Sequence, residues 1–189
     1  GTNLYWDAKG EDHLSKAGWD AIDRILTSAP DLCLVFNPSV NAYRRLDPHF
    51  EAPNQIKASA NNRGAMVRIP AGNAKSARIE MRSVAPDVNP YMAFFALLSV
   101  ALDGPTSAGT DEAKRSRTRF LPDNIYDAIR LFKSSKTANE LLGESVALKF
   151  AELKQAQADR CPKALGTTIK VPEIQFHHEV TNQYLWNLF

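Results

Sequence analysis

The sequence lacks any apolar stretch long enough to cross a membrane. Its longest uninterrupted apolar run covers residues 92–98, whereas a membrane-spanning helix needs about 20 such residues. No secretory signal pattern is visible either. These features lead us to expect a cytoplasmic protein with no membrane partner.

Cysteine is scarce in this chain. Cys33 and Cys161 are its only cysteines, and they form neither a CxxC pair nor a zinc-ligand spacing. Two isolated thiols are typical of a protein from a reducing compartment. The sequence therefore predicts free, structural cysteines rather than a disulfide or a thiolate metal site.

The chain also lacks a strong excess of charge of one sign. It has 23 Lys and Arg against 21 Asp and Glu, and 44% of its residues are hydrophobic. This composition excludes a disordered chain and does not indicate a nucleic-acid partner. A local basic run at residues 114–119 has no interleaved aromatic residues, which single-strand binding uses. We therefore expect no nucleic-acid binding.

Apolar periodicity and turn signals predict both helices and strands. Helices are predicted over residues 13–29, where Pro30 would end the first, and over residues 90–102, 123–133, 138–158 and 181–189. Strands are predicted over residues 65–70 and 77–83, and residues 167–171 are β-prone. Residues 31–36 fit either a helix or a strand, and residues 43–53 are predicted as a loop. The fold expected is α+β, with an antiparallel sheet flanked by helices.

The predicted organisation has three parts. Residues 1–104 would form the sheet and the wall of a site, and residues 105–120, rich in Ser, Thr, Gly and basic residues, would form a linker. Residues 121–189 would form a helical carboxyl-terminal part. The helix predicted to begin after Asn89 is apolar nearly all round, so we expect it to be buried.

Positive charge is concentrated between Arg45 and Arg82. This window has seven basic and three acidic residues, so it carries +4 while the rest of the chain carries −2. Alternate residues of a strand share one face, so Arg78, Glu80 and Arg82 would point the same way, opposite Ile79. Such a face fits either a solvated, salt-bridged sheet surface or a site for a polyanion with a metal. Strand alternation alone does not separate these two interpretations.

The motifs in this window resemble those of the glutamine synthetase family. Residues 37–46 and 48–53 resemble the glutamate-binding loop and the flap, residues 62–70 resemble the asparagine-arginine signature, and residues 77–82 resemble the arginine-isoleucine-glutamate-x-arginine strand. The segment from Asn89 to Gly104 resembles the one that follows in the family. The motifs occur in order over residues 14–104, and weaker matches extend the resemblance to nearly the whole chain. The resemblance implies the carboxyl-terminal part of a catalytic domain.

The resemblance implies an enzyme that makes glutamine from glutamate, ammonia and ATP through a γ-glutamyl phosphate. Arg63 would be catalytic, contacting the phosphates and stabilising the transferring group. Arg68 and Lys75 would bind ATP, and Arg78 would face the phosphoryl groups. Glu80 would ligate a divalent metal, Mg²⁺ or Mn²⁺.

The same resemblance implies a glutamate site and a proton acceptor. Arg45, Glu51 and Arg82 would bind the substrate glutamate. Glu51, on the flap, would help to take a proton from ammonium and so would be the second catalytic residue. Ala58 and Gly64 depart from the family, which often has an aromatic residue and a serine at these positions, and both changes would alter the floor of the site.

Other elements of the family are absent from this sequence. None of its four histidines, His13, His49, His177 and His178, lies in the family's histidine motif, and the further metal-binding glutamates and the asparagine-glycine loop are missing. We therefore expect the chain alone to be inactive and to expose apolar patches where the missing strands would pack. The family implies a ring-shaped homo-oligomer, a dodecamer, in the complete enzyme. Two alternatives stay open: a γ-glutamyl-amine (polyamine) ligase, and a non-catalytic relative.

Overall fold

The computed structural model describes residues 1–46, 52–107 and 119–165, with the side chains of residues 160–165 left out. Its helices are α1 Lys16–Phe36, α2 Val40–Arg45, α3 Pro90–Asp103, α4 Ile125–Ser134, α5 Lys136–Leu142 and α6 Glu144–Leu165, after a short 3-10 turn at Glu11–His13. Its strands are β1 Gln55–Ser59, β2 Ala65–Arg68 and β3 Glu80–Met81. The expected α+β class is confirmed. The predictions for residues 167–171 and 181–189 lie outside the described residues.

Helix α1 is the element on which the others pack. Its first turn is capped by Ser15, whose hydroxyl accepts a hydrogen bond from the backbone N–H of Gly18 at 3.3 Å. α3, α4, α5 and β1 all contact it. The prediction that α1 ends at Pro30 is wrong, because the helix continues to Phe36. Residues 32–36 are all buried, and burying such side chains offsets the roughly 3 kcal/mol that an interior proline costs a helix.

The three-stranded sheet is mixed, in the order β1–β2–β3. β2 and β3 pair antiparallel as predicted, with Arg68 opposite Glu80. The expectation of an antiparallel sheet is wrong for β1, which was not predicted as a strand and pairs parallel with β2. This happens because residues 60–64 carry the chain back to the start of β1, so that Gln55 lies opposite Ala65. We call residues 60–64 the return loop.

Local chemistry stabilises the return loop and the outer edge of β1. The Ser59 hydroxyl accepts from the backbone N–H groups of Asn61 and Asn62 at 3.3 and 3.1 Å, and the Asn62 side chain accepts from the Gly64 N–H at 2.8 Å. On the other edge of β1, the Ile56 N–H donates to the Arg119 carbonyl at 2.8 Å. The segment that begins at residue 119 is therefore hydrogen-bonded to the same sheet.

Three other predicted boundaries differ from the structure for identifiable reasons. α2 occupies part of the predicted 43–53 loop, because Ser39 caps it by accepting from the Ala42 N–H at 3.2 Å. β2 and β3 are shorter than residues 65–70 and 77–83, since pairing is confined to the Val67–Met81 and Arg68–Glu80 positions. The helix predicted over 138–158 is two helices, because Gly143 adopts a φ of 79° that other residues rarely tolerate.

Helix α3 begins as predicted but is not buried all round. Asn89 caps it by accepting from the N–H groups of the next turn, at 3.0 and 3.2 Å. Its fully buried residues are three alanines and Val100, and Met92 and Leu97 are partly buried against the same core. The apolar side chains on its other face are exposed: Tyr91, Phe94, Phe95, Leu98 and Leu102. The prediction of burial fails because α1 covers a single side of α3, which leaves an apolar patch exposed.

The core lies between α1 and the helices around it. Phe132 of α4 is fully buried, and its ring centroid lies 5.6 Å from that of Phe150 of α6. Arg24 of α1 donates to the carbonyls of Ala101 and Leu102 at 3.2 and 2.8 Å, where the last carbonyls of α3 have no partner within the helix. Within the described residues, none of the helices combines the length and the apolar character needed to cross a membrane.

We expect Phe132→Ala to lower the free energy of unfolding by about 3–5 kcal/mol, because it leaves a cavity between α4 and α6. The matched control is Leu148→Ala on α6, where the side chain is 55% exposed and the loss should stay below about 0.5 kcal/mol. Urea denaturation followed by circular dichroism measures both values. Equal losses in the two variants would contradict this description of the core.

We expect the thiol of Cys33 to be unreactive in the folded chain. Burial raises its pKa to about 12, although hydrogen bonds with Tyr43 and Asn37 act in the opposite direction. Iodoacetamide at about pH 8.5, where an ordinary thiol is half ionised, should label Cys33 far more slowly in the native Cys161→Ser variant than in urea. The pKa of this thiol is higher in the folded chain than in the unfolded one. Its contribution to the free energy of unfolding is therefore complete at neutral pH and falls as the pH rises from about 9 towards 12. Rapid native labelling, measured by mass spectrometry, would refute the burial.

Candidate anion-binding site

Three arginines converge on one pocket at the open side of the sheet. The pocket has a volume of about 330 Å³ and is lined by Ala60, Asn61, Asn62, Arg63, Arg68 and Arg82. The return loop supplies the first four residues, β2 ends at Arg68, and Arg82 follows β3 directly. The sheet register therefore brings together arginines that are up to 19 positions apart in sequence.

Glu80 lies between two of the basic side chains. Its Oε2 is 3.3 Å from Arg68 Nη1 across the β2–β3 pair, and its Oε1 accepts from Arg78 Nε at 2.8 Å and lies 2.6 Å from Arg78 Nη2. The prediction that these strands present arginines and one carboxylate to the same side is thus confirmed for Arg68, Arg78 and Glu80. The arginine side chains are about half exposed, so each ion pair is worth at most about 1 kcal/mol of stability. The cluster is therefore better suited to binding an anion than to stabilising the fold.

Arg82 is held by the backbone around the return loop. Its Nη2 donates to the carbonyls of Asn62 and Arg63 at 2.8 and 2.9 Å and also to that of Ala65. Burial lowers the pKa of Arg82, and the nearby charge of Arg68 lowers it further, whereas Glu80 acts in the opposite direction. A guanidinium starts from a pKa so high that it keeps its charge under these conditions, so Arg82 remains a cation.

Arg45 reaches the same region from the end of α2. Its Nη2 donates to the backbone carbonyl of Arg82, and burial lowers its pKa. Helix α2 thus places the Arg45 guanidinium against the backbone of Arg82. Arg45 itself is not part of the pocket lining.

The structure does not bring every predicted site residue to the pocket. Lys75 lies in the turn between β2 and β3, where its N–H donates to the Asn73 side chain at 2.9 Å, and it is not among the lining residues. Arg78 also lies outside the lining and is connected to it through Glu80 and Arg68. Glu51 lies outside the described residues.

Asn61 was not singled out from the sequence, although it lines the pocket. The available signal was the Asn61–Asn62 pair itself, because asparagine favours turns in which its side chain bonds to the backbone. Gly64 lies where a side chain has little space, because a Cβ atom at this position would lie 2.8 Å from Gln55 Nε2. A serine would fit there only if the Gln55 side chain moved.

The described residues do not form a complete metal site. No group of three or more His, Cys, Asp or Glu side chains is close enough together in residues 1–46, 52–107 and 119–165 to hold a metal ion. Glu80 supplies one oxygen ligand, whereas Mg²⁺ takes six in an octahedron. The site can thus bind phosphate or carboxylate oxygens through its guanidinium groups, and Glu80 fits one position in a metal site that needs further ligands.

Comparisons with known proteins show which family this chain resembles. The family model described as "Glutamine synthetase, catalytic domain" matches residues 1–169. Curated relatives include glutamine synthetase of Halobacterium salinarum, 37% identical over 82% of this chain, and that of Thermus thermophilus, 33% identical over 84%. The chain spans only 37% and 39% of the length of these two relatives.

Two solved structures are similar in fold as well as in sequence. One, described as "Apo GmaS without ligand", is 32% identical and has a TM-score of 0.66 over 83% of this chain and 38% of its own. The other, "GmaS/ADP complex-Conformation 1", is 28% identical and has a TM-score of 0.72 over 93% of this chain and 43% of its own.

The position of Glu80 predicts how the pocket binds an anion without metal. We expect Glu80→Gln to raise the affinity for inorganic pyrophosphate in EDTA by up to about tenfold at low ionic strength, because it removes a negative charge beside Arg68 and Arg78. Glu140→Gln on α5 is the matched control, since its carboxylate also forms an exposed ion pair, with Lys136. Isothermal titration calorimetry measures the three affinities. Unchanged or weaker binding by Glu80→Gln would show that the cluster does not bind anions as described.

Proposed function

The chain belongs to the glutamine synthetase catalytic-domain family, and from this premise we propose that it forms the nucleotide- and glutamate-facing wall of an ATP-dependent glutamate–ammonia ligase. The observation that carries this proposal is the convergence of Arg63, Arg68 and Arg82 on one pocket, with Arg78 and Glu80 alongside. The chain spans less than half of its relatives, so the activity proposed is that of a complete enzyme containing this segment.

The arginine cluster suits phosphoryl transfer. In the first step, the side-chain carboxylate of glutamate attacks the γ-phosphorus of ATP, and the bond to ADP breaks as γ-glutamyl phosphate forms. Negative charge on the transferring group calls for preorganised cations. Arg63 would contact this group, Arg68 and Arg78 would contact the phosphates, and Lys75 would reach ATP from the turn that precedes β3.

Glu80 would hold one Mg²⁺ or Mn²⁺ ion, with other ligands supplied by residues outside the described chain. Such an ion would supply positive charge against the phosphates. The ion pairs of Glu80 with Arg68 and Arg78 support this role, because they keep the carboxylate next to two cations that can bind phosphate oxygens. Phosphate oxygens would then replace the carboxylate as partners of the two arginines.

The second step would join ammonia to the activated glutamate. Ammonium loses a proton to a base, the ammonia so formed attacks the γ-carbonyl carbon, and phosphate leaves with the proton that the nitrogen then gives up. We assign that base to Glu51, and the binding of the glutamate carboxylate to Arg45 and Arg82. The contact between Arg45 Nη2 and the backbone carbonyl of Arg82 supports this assignment, because it brings the Arg45 guanidinium to the residue from which the Arg82 side chain extends.

A second candidate function is ligation of an amine instead of ammonia. The two similar solved structures are of GmaS, a γ-glutamylmethylamide synthetase, while the curated relatives carry the name glutamine synthetase. Both reactions share the phosphoryl transfer step and differ only in the nucleophile. We favour ammonia because the sequence has Glu51, a carboxylate that can accept the proton of ammonium.

The complete enzyme would be a ring-shaped homo-oligomer of the cytoplasm, which is the assembly that the family resemblance implies. The exposed apolar face of α3 supports a larger assembly or domain, because patches of this kind rarely stay uncovered.

We expect a hybrid enzyme to test this function directly. In the hybrid, this chain replaces the segment that it matches in the Thermus thermophilus relative. The hybrid should release phosphate from ATP only when glutamate and ammonia are present, whereas the isolated chain should form no glutamine. Arg63→Ala in the hybrid should lower kcat by about 10²–10³, as the loss of one group that stabilises a transition-state anion does.

The hybrid also separates the two candidate nucleophiles. Faster turnover with ammonia than with methylamine supports glutamine synthesis, and the reverse supports the amine ligase. The unmodified Thermus thermophilus relative and the Phe132→Ala hybrid serve as controls for assembly and for general destabilisation. A folded hybrid that binds ATP but transfers no phosphoryl group to glutamate would overturn the proposal.

A further inference from the structure

The return loop carries Arg63 but has little regular structure to fix it. It links two parallel strands through only five residues, and within it Gly64 and the two asparagines form turns. The backbone carbonyls of Asn62 and Arg63 turn inward toward the side chain of Arg82. Carbonyl oxygens that share one location repel each other unless a cation lies between them.

Arg82 supplies that cation with a single nitrogen. Its Nη2 donates to the carbonyls of Asn62, Arg63 and Ala65, which spans the end of the loop and the start of β2. No hydrogen bond in the described ranges joins its Nη1 to another residue, although Arg82 lines the pocket. One nitrogen is therefore committed to the loop, and the other is available to a ligand.

The backbone of Arg82 is anchored on both sides. Its N–H donates to the Met66 carbonyl at 2.8 Å, and its carbonyl accepts from Arg45 Nη2. The side chain thus projects from a fixed point of the sheet. A lysine at this position would keep the charge, but its single ammonium could not hold three carbonyls and also offer a second nitrogen to the pocket.

We propose that Arg82 is a positioning residue that fixes the return loop and thereby places Arg63 against the transferring phosphoryl group. This inference rests on the proposed function for the identity of the ligand, but the effect on the loop is a property of the chain itself. Misplacement of a catalytic group by about 1 Å is enough to lower a rate about a hundredfold. Arg82 therefore acts on phosphoryl transfer chiefly through the position of Arg63.

Hydrogen exchange of the return-loop amides tests the positioning role without any ligand. In Arg82→Ala and Arg82→Lys, the amides of residues 62–66 should exchange at least tenfold faster than in the parent chain, while the amides of α1 stay protected. Arg130→Ala on α4 is the matched control, because it removes the same charge from an exposed ion pair with Asp127 and should leave the loop unchanged. Unchanged loop exchange in both Arg82 variants overturns the proposal.

Pyrophosphate binding tests whether the effect passes through Arg63. Arg63→Ala and Arg82→Ala should each weaken pyrophosphate binding. The double variant should bind within about twofold of Arg63→Ala, because the effects of residues that act as a unit are not additive. Arg82→Lys should lose nearly as much affinity as Arg82→Ala despite its charge. Additive losses with full rescue by lysine would show a simple charge effect and overturn the proposal.

The hydrogen-exchange and pyrophosphate-binding measurements distinguish a failure of this inference from a failure of the proposed function. A parent chain that binds no pyrophosphate would count against the anion site, and the exchange measurement would still decide whether Arg82 positions the loop. Accelerated exchange across α1 in a variant would identify global unfolding, in which case Arg82→Lys, the milder change, gives the decisive comparison.

Discussion

The last five residues of α1 are buried on every side of the helix, and the rest of the described structure is arranged around this helix. Residues 32–36 have almost no exposed surface, and α3, α4, α5 and β1 all pack on this helix. That burial explains why an interior proline does not end α1. It also fixes where β1 lies, and so where the return loop and the pocket arginines are placed.

A second constraint operates at the pocket, where like charges are held close together. Arg68 and Arg78 share the carboxylate of Glu80, and Arg82 donates through Nη2 to backbone carbonyls. These partners keep the guanidinium groups in place before any ligand arrives. Preorganisation of this kind is what electrostatic stabilisation of a phosphoryl group requires, since no energy is then needed to orient the groups during the reaction.

Local signals in the sequence were reliable where a single residue type decides the conformation. Asn89 predicted the start of α3, and strand alternation predicted the shared face of Arg78 and Glu80. Signals failed where packing outweighs local preference, as at Pro30, or where a short cap such as Ser39 creates a helix. The parallel pairing of β1 was not predictable, because it depends on the path of residues 60–64 through space.

The sequence by itself determined the family, the concentration of basic residues between Arg45 and Arg82, and the α+β class, because motif spacing and side-chain periodicity are properties of the linear chain. Only the tertiary structure decided which arginines meet. The sheet register joins Arg68 to Glu80, and the return loop brings Arg63 to Arg82, while Lys75 stays on a separate turn. Contacts between residues distant in sequence depend on strand pairing and packing, which no local pattern encodes.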